Sequence, residues 1–154
     1  MTVAEGAKAP AFKMKTDGGG EVSLADLKGR KVVLYFYPKD DTPGCTKEAC
    51  GFRDLSKAFA KAGATVIGVS KDSAKRHDGF KAKYGLPFTL ASDEDGKTCA
   101  AYGTWIEKTM YGRKYMGIER ATFLIDGKGV VRRVWRGVKV PGHVEEVLDA
   151  AQEI

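Results

Sequence analysis

Residues 31–37, KVVLYFY, contain few polar side chains and are rich in β-branched and aromatic residues. A strand of this kind is buried on both faces, which places it inside a sheet rather than at an edge. A helical pattern follows at 44–61, where apolar residues such as Phe52 and Phe59 recur at helical spacing. A second buried strand is predicted at 65–70. Strands that alternate with helices in this way form a parallel sheet.

The rest of the chain adds further strands and helices. Alternation and turn residues predict a weak strand at 11–15, a short segment at 22–28, a helix at 73–84, a strand at 88–91, a helix at 97–102, strands at 121–125 and 130–135, and a closing helix at 144–151. The Asp126-Gly127 step favours a tight hairpin between the last two strands, whereas residues 104–117 have no clear period and are expected to form a surface loop. We therefore expect an α/β, thioredoxin-like fold, with a central mixed β-sheet, antiparallel in its last part, flanked by helices on both faces.

The size of the chain predicts a single domain over residues 1–154, since one hydrophobic core commonly serves about 100–200 residues. Apolar residues make up 43% of the sequence, enough for such a core. The longest apolar run, 32–37, is far shorter than the roughly 18 residues of a membrane span, and the first twenty residues lack the apolar block of an export signal. We expect a cytoplasmic protein without membrane contact, in which the three cysteines form no structural disulfide and any disulfide is transient.

The positive charge of the chain raises the possibility of an acidic binding partner. There are 26 basic and 20 acidic residues, which gives a formal net charge of +6. The densest basic stretch consists of Lys128, Arg132, Arg133, Arg136 and Lys139. A nucleic acid or an acidic protein is the kind of partner that binds such a surface. Because no recognition motif accompanies the charge, we expect no nucleic acid partner, and a basic binding module remains the non-enzymatic alternative.

A cysteine, Cys45, lies just after the junction between the first buried strand and the predicted helix. Thr42 suits the N-cap position and Pro43 the first helical position, so Cys45 is third, inside the first turn. Unpaired N–H groups and the helix dipole at this end stabilise a thiolate, which is the reactive form of cysteine. Cys45 is therefore a candidate nucleophile. The alternative is a small buried apolar residue, which is how most free cysteines behave.

A second cysteine, Cys50, follows five residues later in the same predicted helix. In a regular helix the two Cα atoms lie about 8–9 Å apart and the side chains point about 140° apart, which is too far for a disulfide. A bond between Cys45 and Cys50 therefore requires the first turns of the helix to unwind. Gly51 favours unwinding, because glycine costs about 1 kcal/mol relative to alanine inside a helix.

Two thiols also raise the possibility of a metal site. The spacing Cys-x4-Cys is unusual for zinc, and the chain has no second cysteine pair. His77 and His143 stand isolated in the sequence, and each is expected at the surface rather than as a ligand or a base. We expect no metal or other cofactor. Cys99 lies in a short predicted helix and is expected to have a packing role. The alternative is that it serves as a second resolving cysteine for Cys45.

Several motifs resemble those of the peroxiredoxins. The pattern Pro38-x-x-x-Thr42-x-x-Cys45 resembles the motif of that family, and residues 45–54, CTKEACGFRD, are similar to its Q-type branch, also called the bacterioferritin comigratory protein family. The similarity covers nearly the whole chain, including residues 102–105 (YGTW) and 120–126 (RATFLID). The motifs are highly specific in combination, whereas the Pro, Thr and Cys spacing alone recurs by chance.

The resemblance implies a thiol peroxidase of thioredoxin fold that reduces hydrogen peroxide and organic hydroperoxides without metal, haem or flavin. It implies five site residues, namely Cys45 as the peroxidatic cysteine, Cys50 as the resolving cysteine, Thr42 as the hydroxyl that orients the peroxide, Pro38 as the residue that shields the pocket, and Arg120 as the guanidinium near the thiolate. It also implies a monomer that thioredoxin or a similar dithiol reductant recycles.

The chemistry of peroxide reduction requires these residue types. Attack on the O–O bond needs a thiolate, and a permanently charged arginine would stabilise it and donate hydrogen bonds to the peroxide oxygens. Oxidised Cys45 is a sulfenic acid, which condenses with a nearby thiol to a disulfide. Each further role has a structural alternative: Arg120 as a surface residue, Thr42 as a helix cap and Pro38 as the end of a strand.

A thioredoxin-like disulfide oxidoreductase is the rival enzyme. Such enzymes typically use Cys-x-x-Cys, in which both sulfurs approach each other without unwinding. Four residues separate Cys45 from Cys50 in this chain. The spacing therefore favours a peroxidase.

Overall fold

The computed structural model describes residues 3–154, and within them the chain forms nine strands and five α-helices. The strands are β1 Lys13–Thr16, β2 Glu21–Ser23, β3 Lys31–Phe36, β4 Ala64–Ser70, β5 Thr89–Ser92, β6 Trp105–Met110, β7 Arg113–Ile118, β8 Ala121–Ile125 and β9 Val131–Trp135. The helices are α1 Pro43–Asp54, α2 Ser56–Lys61, α3 Ala74–Tyr84, α4 Lys97–Ala101 and α5 His143–Glu153. Short 3-10 turns, Asp17–Gly19 and Ala25–Leu27, flank β2.

Seven of the strands form one mixed sheet in the order β2-β1-β5-β4-β3-β8-β9. Strands β3, β4 and β5 are parallel, and the other neighbours are antiparallel. The apolar strand β3 lies inside the sheet, as predicted, with Val33 paired to Val66 of β4 and to Leu124 of β8. The antiparallel part differs from the prediction in extent, because β1 and β2 add an antiparallel hairpin at the opposite edge.

Successive residues of β3 face two separate cores, one on each side of the sheet. Tyr35 faces the first core, which α1, α2, α3 and α5 cover, and it stacks on Phe52 with 4.5 Å between the ring centroids. Phe36 faces the second core, which includes Cys99 of α4 and is closed by residues from the N-terminal part of the chain. The prediction of helices on both faces is confirmed.

The helix predicted over residues 44–61 is two helices in the structure. Leu55 interrupts it with φ −103° and ψ 12°, between the end of α1 and the start of α2. The change of direction brings Phe52 and Phe59 to 5.6 Å between ring centroids on the first core. Gly63, which follows α2, has a left-handed φ of 78°.

The surface loop predicted over residues 104–117 is wrong, because β6 and β7 form a separate antiparallel ribbon there. The pairing runs from Trp105 opposite Ile118 to a turn at Tyr111 and Gly112, which both have positive φ. Most side chains of the ribbon are exposed on both faces. Without a buried face there is no alternation of apolar and polar residues for sequence analysis to detect.

The hairpin between β8 and β9 exists, but it is wider than a two-residue turn. The Gly129 N–H bonds to the Asp126 carbonyl, the Asp126 N–H bonds to the Val130 carbonyl, and the register shifts by a bulge. The left-handed residue is Gly129, with φ 81°, rather than Gly127. A turn followed by a left-handed glycine is typical of these longer hairpin loops.

The basic stretch of the sequence lies on and around β9. Arg136 pairs with Glu119 at 2.6 Å and Arg132 with Asp126 at 3.4 Å, so two of its five charges form ion pairs within the chain.

Among residues 3–154, the longest helix, α1, has only 12 residues, and no helix could cross a bilayer.

Candidate active site

The first turn of α1 places Cys45 in the first core. Thr42 is the N-cap by its backbone, with φ −99° and ψ 156°, and Pro43 is the first helical residue, as predicted. Cys45 is therefore third, and it is only 1% exposed. The Thr42 side chain does not cap the helix: its hydroxyl donates to the Lys39 carbonyl at 2.9 Å, which leaves the oxygen lone pairs available to accept a hydrogen bond.

Arg120 approaches Cys45 from the neighbouring strand. It directly precedes β8, whose first residue, Ala121, pairs with Phe36 at the end of β3. This pairing sets Arg120 beside the junction from β3 to α1. Its Nη2 donates to Cys45 Sγ at 3.4 Å, and its side chain is 17% exposed. The alternative of an ordinary surface arginine is therefore wrong.

Gly44 gives the guanidinium room above the helix. A Cβ atom at this position would lie 3.1 Å from Arg120 Nη2, a tighter contact than side chains normally make. A larger residue would therefore push the guanidinium away from the thiol. The signal in the sequence was a glycine between Pro43 and Cys45, at a helical position where glycine is otherwise unfavourable.

Glu48, which the sequence does not predict as a site residue, binds the other side of the guanidinium. Its Oε1 accepts a hydrogen bond from Arg120 Nη1 at 2.8 Å. The side chain is fully buried, and Oε2 has no hydrogen-bond partner among the described residues. Burial raises the pKa of Glu48 to about 7, although the charge and hydrogen bond of Arg120 oppose the shift. Glu48 follows Cys45 by three residues, so both side chains lie on one helix face, and this spacing was the available signal.

Both histidines were expected at the surface, and both are buried. His143 begins α5, and its Nε2 lies 2.8 Å from Thr122 Oγ1 and 3.9 Å from Glu48 Oε2. Burial lowers the pKa of His143 to about 4, so the ring is neutral at neutral pH. His77 lies inside, between α3 and the sheet. The partners of these rings come from other elements, which is why isolated histidines in a sequence do not reveal them.

Pro38 follows β3 and is exposed. It lines a cavity of about 440 Å³ together with Lys39, Lys71, Trp105, Lys108, Tyr115, Met116, Gly117 and Ile118. Most of this lining comes from the ribbon of β6 and β7, where the sequence predicts a loop. Burial lowers the pKa of Lys108, and the positive charge of Arg120 lowers it further, which relates this cavity to the guanidinium.

The three cysteines are all unbonded, and they lie in three different environments. Cys45 is buried, and Cys50 is half-buried on the same unbroken helix. Cys99 is fully buried in the second core, on the opposite face of the sheet from Cys45, and burial raises the pKa of its thiol. Its position fits the expected packing role.

The helix that carries Cys45 and Cys50 packs closely on α5. A Cβ atom on Gly51 would lie 3.0 Å from Val144 Cγ2. Close packing is thus a second reason for glycine here, besides the ease of unwinding expected from the sequence. Over residues 3–154 there is no cluster of three or more histidine, cysteine, aspartate or glutamate side chains that could hold a metal ion.

Known proteins are similar to this chain in sequence over nearly its whole length. The AhpC/TSA family matches residues 6–134. The putative peroxiredoxin bcp of Coxiella burnetii is 60% identical, over 96% of this chain and 98% of that protein. The peroxiredoxin Bcp of Bacillus subtilis is 50% identical, over 100% of this chain and 98% of that protein.

Solved structures of similar proteins belong to the same branch as these relatives. The bacterioferritin comigratory protein of Xanthomonas campestris superposes with a TM-score of 0.88 at 46% identity, over 92% of this chain and 90% of that one. The PrxQ of Xylella fastidiosa superposes with a TM-score of 0.90 at 41% identity, over 98% of each chain. The expected thioredoxin-like fold is confirmed by these likenesses. This chain therefore belongs to the AhpC/TSA family, in its Bcp and peroxiredoxin Q branch, and is a peroxidase of the oxidoreductase class.

Proposed function

We propose that Cys45 reduces hydroperoxides through a sulfenic acid, that Cys50 resolves it as an intramolecular disulfide, and that a thioredoxin-type dithiol protein reduces the disulfide. The observation that carries the proposal is the hydrogen bond from Arg120 Nη2 to Cys45 Sγ at 3.4 Å. A cation that donates to a sulfur shielded from water favours the thiolate, and the thiolate is the nucleophile.

In the first step the Cys45 thiolate attacks one peroxide oxygen and the O–O bond breaks. Sulfur gains an oxygen and becomes a sulfenic acid, while the other oxygen leaves with the electron pair, takes up a proton and departs as water or an alcohol. Arg120 donates hydrogen bonds to the oxygen on which charge develops. Thr42 accepts a hydrogen bond from the peroxide O–H, since its own hydrogen is given to the Lys39 carbonyl.

The cavity beside Pro38 supports organic hydroperoxides as substrates. Hydrogen peroxide needs little space, whereas a volume of about 440 Å³ accommodates an organic substituent. Its lining includes apolar surface from Trp105, Met116 and Ile118. Pro38 lies at this cavity, where its ring shields the reaction from water. This is the role we propose for it, in addition to ending β3.

In the second step the sulfenic acid condenses with the Cys50 thiol, a disulfide forms and water leaves. On an intact α1 the two Cα atoms are held about 8–9 Å apart by helix geometry, beyond the reach of a disulfide. The helix must therefore unwind between the two steps. In this proposal the form with an unbroken α1 and a buried Cys45 is the one that meets the peroxide.

We propose that one domain, acting as a cytoplasmic monomer, completes this cycle. The support is that the cycle needs no residue of a second chain: Arg120 contacts Cys45 and Glu48 within the chain, and Cys50 lies on the helix of Cys45. Light scattering of the reduced and oxidised protein tests the monomer, and a stable dimer in both states would contradict it.

The experiment that tests the mechanism measures peroxide loss in the presence of a dithiol reductant. Cys45→Ser is expected to abolish it, and Cys50→Ser to permit one turnover and to leave a sulfenic acid that dimedone traps. Cys99→Ala serves as the control and keeps full turnover, since Cys99 lies on the other face of the sheet. Intact mass with thiol mapping after one equivalent of peroxide identifies the paired sulfurs. Sustained turnover by Cys50→Ser would refute Cys50 as the sole resolving residue.

A further inference from the structure

A second buried polar cluster lies beside the connection from β3 to α1, and it consists of Tyr37, Asp40 and His77. The Tyr37 hydroxyl donates to Asp40 Oδ1 at 2.5 Å, and His77 Nδ1 lies 2.6 Å from Asp40 Oδ2. Asp40 is 3% exposed and His77 fully buried. Charged or polar groups that are buried away from water destabilise a fold unless they form hydrogen bonds, and these three side chains form them.

The contacts of His77 define its charge. Its Nε2 lies 2.9 Å from the Ala91 carbonyl oxygen, which only accepts, so Nε2 carries a hydrogen. Its Nδ1 faces the Asp40 carboxylate, which when ionised also only accepts, so Nδ1 carries a hydrogen as well. Both ring nitrogens thus face acceptors, the arrangement that suits an imidazolium. Burial is the largest influence and lowers the pKa of His77, but the hydrogen bond and charge of Asp40, the Ala91 carbonyl and the charge of Asp72 together raise the pKa on balance.

The charged groups around His77 come from several elements, and most of them favour the positive ring. Asp40 faces it from the connection after β3, and Asp72, which follows β4, also raises its pKa. Asp72 Oδ2 accepts the Asp40 backbone N–H at 2.8 Å, and its Oδ1 binds Arg76 on the helix of His77 itself. Hydrogen bonds therefore hold Asp40 in place through both its backbone and its side chain.

Asp40 lies inside the segment that carries two of the site residues. Residues 38–42 include Pro38 and Thr42, and no strand or helix covers them. Asp41 adopts a left-handed φ of 59°, which is uncommon for a residue other than glycine. A segment of this shape needs tertiary contacts to keep one conformation. Asp40 supplies the buried contacts, and the exposed Asp41 carboxylate adds surface contacts with Lys83 and Tyr84.

We propose that Asp40 and a protonated His77 form a buried latch that positions residues 38–42, and with them Thr42, for the peroxide step. The inference rests on the proposed function. Asp40 and His77 are positioning residues, because their contacts lie with Tyr37 after β3, with α3 and β5, and with the segment after β4, rather than with the sulfur. None of the hydrogen bonds of this Asp40–His77 latch involves α1, so the latch stays closed while α1 unwinds for the disulfide step.

The charge of the latch can be measured on the unaltered protein. The sequence contains two histidines, and a His143→Gln variant assigns the signals of both. We expect ¹⁵N NMR at pH 7 to show both ring nitrogens of His77 protonated and His143 neutral. A neutral His77 ring would overturn the latch. This measurement needs no folded variant of Asp40 or His77.

The positioning role is tested by separating the two chemical steps in rapid mixing. We expect Asp40→Asn and His77→Gln to slow the peroxide step by about ten- to a hundredfold, the range expected when reacting groups are misplaced by an ångström or less. Disulfide formation from the sulfenic acid should keep its rate. A variant that merely loosened the fold would ease the unwinding of α1 and accelerate that step, so acceleration would overturn the latch.

Asp41→Asn is the matched control on the same segment. Its carboxylate is exposed and binds Lys83 and Tyr84 at the surface of α3, and asparagine tolerates a positive φ. We expect both rates to be unchanged. If the unaltered protein reacts with peroxide and the latch variants react equally fast, the latch is wrong and the proposed function stands. If the unaltered protein fails to react, the proposed function falls, and the positioning role with it.

Discussion

Glu48 and Arg120 form a buried ion pair that uses only one carboxylate oxygen. Arg120 Nη1 lies 2.8 Å from Glu48 Oε1, whereas Oε2 has no partner among the described residues. The pair turns the guanidinium so that its second amino group, Nη2, faces Cys45. Glu48 is thus a positioning residue for the arginine. Because its carboxyl is buried, it also brings a titration close to neutral pH into the site.

The two-sided contact of Arg120 predicts that lysine cannot replace it. A lysine has one ammonium group and no planar fork, so it cannot bind Glu48 and the sulfur in the same geometry. Arg120→Lys should slow the peroxide step by about a hundredfold or more, the loss typical of a missing donor to developing charge. Rapid-mixing kinetics with hydrogen peroxide measures it. Arg113→Lys, at an exposed position in β7, is the control, and equal rates for the two variants would contradict the prediction.

The raised pKa of Glu48 predicts a pH-dependent stability. Burial moves it from an ordinary 4.5 to about 7, so the folded protein keeps a proton that the unfolded chain has already lost. The stabilisation is complete below pH 4.5 and is lost as the pH rises through 7. Between these values wild type should lose up to about 1 kcal/mol more per pH unit than Glu48→Gln.

Urea unfolding at a series of pH values measures this difference. The control is Glu107→Gln, because Glu107 is exposed in β6 and its replacement should leave the pH dependence of wild type unchanged. Parallel stability curves for wild type and Glu48→Gln would show that the buried carboxyl does not titrate in this range.

The separation of Cys45 and Cys50 on one helix predicts a change in α1 on oxidation. In the disulfide form, amide hydrogens of residues 46–51 should exchange at least about tenfold faster than in the reduced form, because the first turns of α1 are open. Amides of α3 should keep their protection. Hydrogen exchange with mass spectrometry compares the two states, and Cys50→Ser treated with one equivalent of peroxide should keep the reduced pattern. Unchanged protection in a protein with the mapped disulfide would refute unwinding.

Replacement of Gly68 and of Gly79 by alanine should change the stability of the fold in opposite directions. A Cβ atom on Gly68 would lie 2.8 Å from the hydroxyl oxygen of Tyr35, a buried ring, so Gly68→Ala should destabilise the fold by about 1–3 kcal/mol. Gly79 lies in α3 with nothing near its absent Cβ, so Gly79→Ala should stabilise it by up to about 1 kcal/mol. Chemical unfolding of both variants checks the signs, and a shift in the same direction would contradict the account.

Local patterns were sufficient where an element is buried in the core or where a helix begins. The apolar run of β3 predicted an interior strand, and Thr42 and Pro43 predicted the start of α1 with Cys45 in its first turn. The same patterns were insufficient for the ribbon of β6 and β7, whose two faces are mostly exposed, and for the break at Leu55, which depends on how Phe52 and Phe59 pack together.

The spacing of residues along the chain determined that Cys45 lies in the first turn of a helix and that Cys50 cannot reach it while that helix is intact. Only the tertiary structure decided what surrounds the sulfur. Arg120 is 75 residues from Cys45 in sequence and 72 from Glu48, and His77 is 37 residues from Asp40. Helix geometry acts over a few neighbouring residues and can be inferred from their order. A hydrogen bond between distant residues exists only when strand pairing and helix packing bring both groups into one place.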